Sequence, residues 1–142
     1  MVGNLLAALF STVGYCLLMN VPVKKIIPAS IGGMLSWGLY LLLEDKISSV
    51  FYQLVLAGAF AASYSEIAAK IAKTPATVFL LPSLIPLIPG GSAYYAMLGL
   101  VQNQFDTMRH YALLTGQWAV GLSAGICLVA VVRQIIQHIH NL

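Results

Sequence analysis

Prolines at positions 75, 82, 86 and 89, followed at once by Gly90, Gly91 and Ser92, form the part of this chain with the most chemical potential. Their spacing of seven, four and three residues places the prolines on one face of a helix. Each interior proline lacks an N–H and its ring clashes with the carbonyl four residues earlier. The carbonyls of Val78, Pro82 and Ile85 should therefore lose their intrahelical partners. Unbonded carbonyls are costly in lipid, so this face must meet protein or a polar cavity. The glycines let the chain turn, and Ser92 is placed to cap a new helix starting at Ala93. The free N–H groups and positive end of such a helix suit a carboxylate. Pro86, Pro89, Gly90, Gly91 and Ser92 would frame that site, and Tyr94 and Tyr95 would supply hydroxyls or an aromatic wall. A kinked helix that only shapes its bundle is the alternative reading of the same residues.

Glu66 is the second candidate. It follows Tyr64 and Ser65, with Lys70 four residues on. A surface ion pair with Lys70 would be worth roughly a few tenths of a kcal/mol. The sharper reading is a carboxylate at the mouth of a polar pathway, able to take a proton or pair with an amine. Gln53 and Gln117 fall within apolar segments and either bond to neighbours or line a pathway. His138 and His140 stand two apart, so on a helix they do not share a face; a solvated tail fits them better than a metal site. Asp106, Arg109 and His110 read as a short interfacial polar loop. There is no P-loop, and no Ser/His/Asp or Cys/His arrangement stands out. The expectation is a protein that is not an enzyme and carries no cofactor or metal.

The elements that must position these residues follow from hydropathy. Four apolar runs cover 2–19, 26–43, 47–64 and 111–132. As helices they would be about 27–33 Å long, matching a bilayer core of about 30 Å. A fifth stretch, 76–101, has no charge but is interrupted by Pro82, Pro86, Pro89, Gly90 and Gly91. One continuous helix there would be about 39 Å long. It reads instead as two half-helices joined at Pro89-Gly90-Gly91, either crossing the membrane or re-entrant. The expected fold is an all-α polytopic transmembrane bundle: four regular spans plus one Pro/Gly-broken element, in a single membrane domain over 1–142.

Composition agrees. Of 142 residues, 60% are hydrophobic and 8% charged, with mean hydropathy +0.89. A soluble domain is about a quarter charged, and this one would expose apolar patches that a soluble monomer does not tolerate. The seven Lys/Arg are scattered over loops, which excludes the basic face that nucleic acid calls for. Cys16 and Cys127 lie in apolar runs and read as packing residues. The N-terminus lacks a basic n-region and a clear small-residue cleavage site, so the first segment should be retained. Lys24, Lys25, Lys70 and Lys73 sit in the first and third loops against Lys46 in the second. That places the N-terminus outside and the basic loops in the cytoplasm. Arg109 and Arg133 exchange sides according to whether 76–101 crosses, so charge leaves the C-terminus undecided. Gly121 with Gly125, Gly58 with Ala62, and Ala59 with Ser63 mark close helix contacts, read as ordinary bundle packing. Val132, Ile135, Ile136 and Ile139 share a helical face that suits the interface or a partner.

Three stretches carry a family resemblance: Ser63-Tyr-Ser-Glu-Ile-Ala-Ala-Lys70, Lys73-Thr-Pro-Ala-Thr-Val-Phe79 and Ile85-Pro-Leu-Ile-Pro-Gly-Gly-Ser-Ala-Tyr-Tyr-Ala-Met97. With Asn20-Val-Pro-Val-Lys24, they make the chain resemble the threonine/serine exporter (ThrE) family, in particular its second, smaller half. The likeness covers the whole length, and its most specific part is Pro-Leu-Ile-Pro-Gly-Gly followed by Tyr94. It implies secondary export of small hydrophilic metabolites, threonine and serine or dicarboxylates, across the cell (cytoplasmic) membrane. It also implies a partner, the larger membrane subunit, with a homo-oligomer as a further option. Where the family pattern leads one to expect paired basic residues after the Glu, this chain has Ala69-Lys70, so the charge beside Glu66 is thinner. The alternative function is a structural subunit that stabilises a partner holding the whole pathway, since these segments carry few intramembrane polar groups.

Overall fold

The computed structural model describes residues 2–140; the His140 side chain, and with it the reading of the His138–His140 pair, lies outside the described residues. Six α-helices follow one another: α1 (Val2–Leu18), α2 (Val23–Glu44), α3 (Val50–Ala72), α4 (Thr77–Leu84), α5 (Gly90–Val101) and α6 (Phe105–His140). A 3₁₀ turn, Ile85–Leu87, continues α4. Among the described residues, three helices are long and apolar enough to cross a membrane, four if α4 and α5 count as one bent span, while α1 is a shorter apolar helix. Four regular spans were expected; α2, α3 and α6 meet that expectation by length and composition.

Helix ends are written locally. Asn20, Lys73 and Asn103 adopt left-handed backbone, φ 53°, 50° and 57°, at the ends of α1, α3 and α5. This conformation closes a helix by turning the next N–H groups back onto free carbonyls; the N–H groups of Lys73 and Thr74 both return to Ala69. Within the bundle, Thr12, Ser30, Ser36 and Ser65 donate to the carbonyl four residues earlier, at 2.6–2.8 Å. A hydroxyl satisfied inside its own helix can sit at a crossing without an unpaired polar atom.

The core is correspondingly built from small residues. Ala29, Ala57 and Ala61 are fully buried, and Gly33 faces Thr12 so closely that a methyl group there would collide with its hydroxyl. In lipid, apolar side chains gain little by leaving the solvent, so helices associate through close van der Waals approach, which small residues permit. The α3–α6 contact is the largest in the molecule. A methyl at Gly121 would lie 3.0 Å from the Phe51 carbonyl, and one at Gly125 would strike the Val55 carbonyl oxygen. Leu122 rests on Gly58. The small-residue spacing thus marks a real helix seam.

That seam also sets topology. Leu54 lies beside Gly121, Val55 beside Gly125 and Glu66 beside Arg133, so α3 and α6 run parallel. The chain between them must then pass from one end of the bundle to the other. The α4–α5 element does so with a 53° bend rather than folding back. α4 packs among α1, α2 and α3, while α5 rests on α6. Beyond Val132, α6 continues unbroken with Ile135, Ile136 and Ile139 exposed.

Candidate functional site

The bend sits at Ile88-Pro89. A proline disfavours α-backbone in the residue before it, and Ile88 is extended at φ −70°, ψ 128°. Pro89, at φ −77°, ψ 52°, is the N-cap of α5, which starts at Gly90. This corrects two expectations. The glycines are not the turn: no glycine has positive φ among the described residues, and Gly90 and Gly91 are the first helical residues. Ser92 is not the cap; it lies inside the first turn and donates to the Pro89 carbonyl at 3.1 Å. The carbonyls freed by the prolines also fare better than expected. Pro82 accepts the Ile85 N–H and Ile85 accepts that of Ile88 at 3.3 Å. Tightening to 3₁₀ geometry re-bonds them three residues on.

Around the α5 start the surroundings are open on one side. A methyl group at Gly90 or Gly91 would meet nothing within 4 Å. On the other side stands α6, whose Thr115 hydroxyl lies 3.0 Å from Ser92 Oγ and 2.8 Å from the Tyr111 carbonyl. Thr115 has one proton for these two acceptors. Ser92 likewise has its one proton on the Pro89 carbonyl, so the pair presents lone pairs at the first turn of α5 and donates to a ligand only by rotating a hydroxyl away from a backbone carbonyl. Tyr95 packs on Tyr111 with centroids 5.2 Å apart, and Tyr94 meets Tyr95 edge-on at 5.5 Å. Both Tyr94 and Tyr95 are exposed. Tyr94 and Tyr95 thus extend an aromatic ladder away from the hydroxyl pair.

Pro86 faces elsewhere. It lines a cleft of about 280 Å³ with Asn4, Ser11 and Trp37. Trp37 stacks on Tyr40, which packs on Trp118, and Leu87 is buried in the same cluster. The predicted residues are thus divided: Ser92 and Tyr95 face α6, Tyr94 flanks Tyr95, Gly90 and Gly91 lie on the open side, Pro86 lies on the α1–α2 side, and Pro89 sits at the bend.

Glu66 belongs to neither group. It pairs with Arg133 at 2.6 Å rather than with Lys70, because α6 brings a guanidinium across the seam. Eighteen residues of α6, about 27 Å of helix, separate Arg133 from Thr115, so Glu66 does not meet a ligand held at Ser92. Gln53 is buried and donates to the Ile47 carbonyl, leaving its own oxygen unpaired; Gln117 is exposed.

Sequence reasoning missed Thr115, Tyr111 and the Glu66–Arg133 pair. A usable signal existed for the first two. The α5–α6 hairpin turns at Asn103, and residues at about equal distances from it face each other, Tyr95 with Tyr111 and, within one residue, Ser92 with Thr115.

Residues 4–132 match the family described as Threonine/Serine exporter, ThrE. No curated protein and no solved structure matches the chain. The match spans most of the sequence, so the chain belongs to the threonine/serine exporter family and is a multi-pass membrane protein of a transporter rather than an enzyme family.

Proposed function

Proceeding from membership of the threonine/serine exporter family, we propose that this chain is a single-domain membrane subunit of a secondary exporter, working with a larger partner subunit in the cell membrane. Its cargo is a small hydrophilic metabolite, threonine or serine or a related carboxylate. The observation that carries this reading is the α5 start: a proline-made break with a Ser92–Thr115 hydroxyl pair, open on the side of Gly90 and Gly91. Amino acids and dicarboxylates all bear a carboxylate, and helix N-termini favour anions. Ser92 and Thr115 add hydroxyl contacts, and Tyr94 and Tyr95 form the wall. The open side is where the larger subunit, or a second copy of this chain, would complete the enclosure. Glu66 remains the coupling candidate, acting at the far end of the seam rather than on the substrate.

The proposed orientation draws on two groups of five and two basic residues. Lys24, Lys25, Lys70, Lys73 and Arg133 lie at one end of the bundle, Lys46 and Arg109 at the other. Positive residues favour the cytoplasmic side, which supports a reading with the N-terminus outside and the C-terminus inside.

Gly91→Leu tests the proposal. The position has free space within this chain, so the variant should insert and fold as wild type while threonine efflux from vesicles containing both subunits is abolished. Wild-type efflux would remove Gly91 and its neighbours from the pathway. The competing account, a structural subunit beside a partner that holds the whole pathway, draws on the exposure of this same site, and it expects that wild-type result.

A further inference from the structure

The end of the bundle away from the α5 start holds a second polar feature. A cleft of about 400 Å³ opens between the end of α3, the 73–76 connection and α6, lined by Glu66, Lys70, Lys73, Thr74, Pro75 and Arg133 among others. Its three cations face one acid, and that acid is taken up by Arg133. Lys70 and Lys73 are both exposed and make no ion pair among the described residues. Thr74 Oγ1 is buried there without a hydrogen-bond partner. The cleft therefore presents two uncommitted ammonium groups, with one unpaired hydroxyl buried in its wall, and the ammonium groups are donors suited to phosphate oxygens.

Its level on the helices points to the source of that phosphate. Apolar sequence ends at Tyr64 on α3 and at Val132 on α6, immediately before Glu66 and Arg133. The cleft thus lies where spanning segments leave the hydrocarbon. Val132 and Ile136, exposed on either side of Arg133, continue from it as an apolar surface able to carry acyl chains. Lys24 and Lys25 share this end of the bundle and add to its positive field. Basic pockets between spanning helices at the cytoplasmic level are suited to anionic headgroups.

We infer that this cleft is a phosphate-group site, occupied by the headgroup of an anionic phospholipid. The inference does not depend on the substrate site proposed at Ser92, because the cleft lies at the far end of the α3–α6 seam from it, and it uses Lys70 and Lys73 rather than Glu66.

Native mass spectrometry of the purified whole chain with equal amounts of phosphatidylglycerol and phosphatidylcholine tests it, alongside ³¹P line broadening of inorganic phosphate. The wild type should retain phosphatidylglycerol with about a tenfold preference. That preference should vanish in Lys70→Gln/Lys73→Gln and persist in Lys70→Arg/Lys73→Arg. It should also persist in Lys46→Gln/Arg109→Gln, which removes the same charge from the other end. Circular dichroism should be identical throughout, since the substituted side chains are exposed. Broadening of inorganic phosphate that depends on Lys70 and Lys73, without lipid preference, would keep the site and assign it a soluble phosphate. Equal retention of both lipids without phosphate binding would overturn the inference. So would a preference unchanged by Lys70→Gln/Lys73→Gln, or lost equally in the opposite-end control.

Discussion

Ser92 and Gly125 are both small residues on helices, yet their substitutions should fail in different ways. Ser92 has a hydroxyl shared with Thr115 and Pro89 at a half-open surface. Ser92→Ala should leave folding intact and lower efflux about tenfold, the worth of one hydrogen bond to a charged group. Vesicle efflux normalised to inserted protein measures this. Gly125 is buried against the Val55 carbonyl and the Ala59 nitrogen. Gly125→Val should force α3 and α6 apart at a cost of about 1–3 kcal/mol, visible as a lower unfolding midpoint in detergent. At this scale the sequence was informative wherever the cause is local. Proline restricts its own predecessor, so the break at Ile88 could be read from Pro89. Thr115 could be read only by placing the hairpin at Asn103 first, because its importance comes from a residue 23 positions away that the hairpin brings near.

The broken span and the α3–α6 seam are the two elements on which the account rests. Pro89 sets the bend, so Pro89→Ala should let α4 and α5 approach a continuous helix and move the α5 start away from Thr115. Spin-label distances between α4 and α6 should lengthen or shorten by several ångströms, with efflux lost and insertion retained. Glu66 and Arg133 join the two parallel helices at a partly exposed site, where an ion pair contributes roughly 0.2–1 kcal/mol. Glu66→Gln should therefore change stability little; a large fall in proton-driven efflux would then report on coupling rather than on packing. The apolar runs and the small-residue stripes were legible because each encodes its own helix face. Helix bounds were less so: α3 runs on to Ala72 and takes in Glu66, since Ala68, Ala69 and Ala72 continue its packing against α2 and α4 after the apolar run has ended. The partner of Glu66 was hidden because it is set by the relative direction of two helices distant in sequence.

Viewed whole, the molecule is electrically lopsided. One end carries five cations and one acid, and the other two cations and three acids, Glu44, Asp45 and Asp106. This asymmetry suits a fixed orientation with the basic end in the cytoplasm. Thiol labelling from each side should find Lys70→Cys reactive from the cytoplasm and Asp106→Cys from outside, in a Cys127→Ser background because Cys127 is exposed while Cys16 is buried. Crossing by 76–101 could not be decided from charge, since both topologies leave the same count on each side; the parallel seam supplies what charge lacked. The open flank at Gly90 and Gly91 is likewise a property of the whole chain, and in the proposed function it is the side that a second subunit would close. Substrate protection of Ser92→Cys, measured in vesicles containing both subunits and the Cys127→Ser background, tests that central claim most directly. Threonine or serine should slow labelling by a membrane-permeant maleimide in a saturable way, while a cysteine at exposed Val120 reacts at an unchanged rate; identical rates at Ser92→Cys with and without substrate would contradict the account.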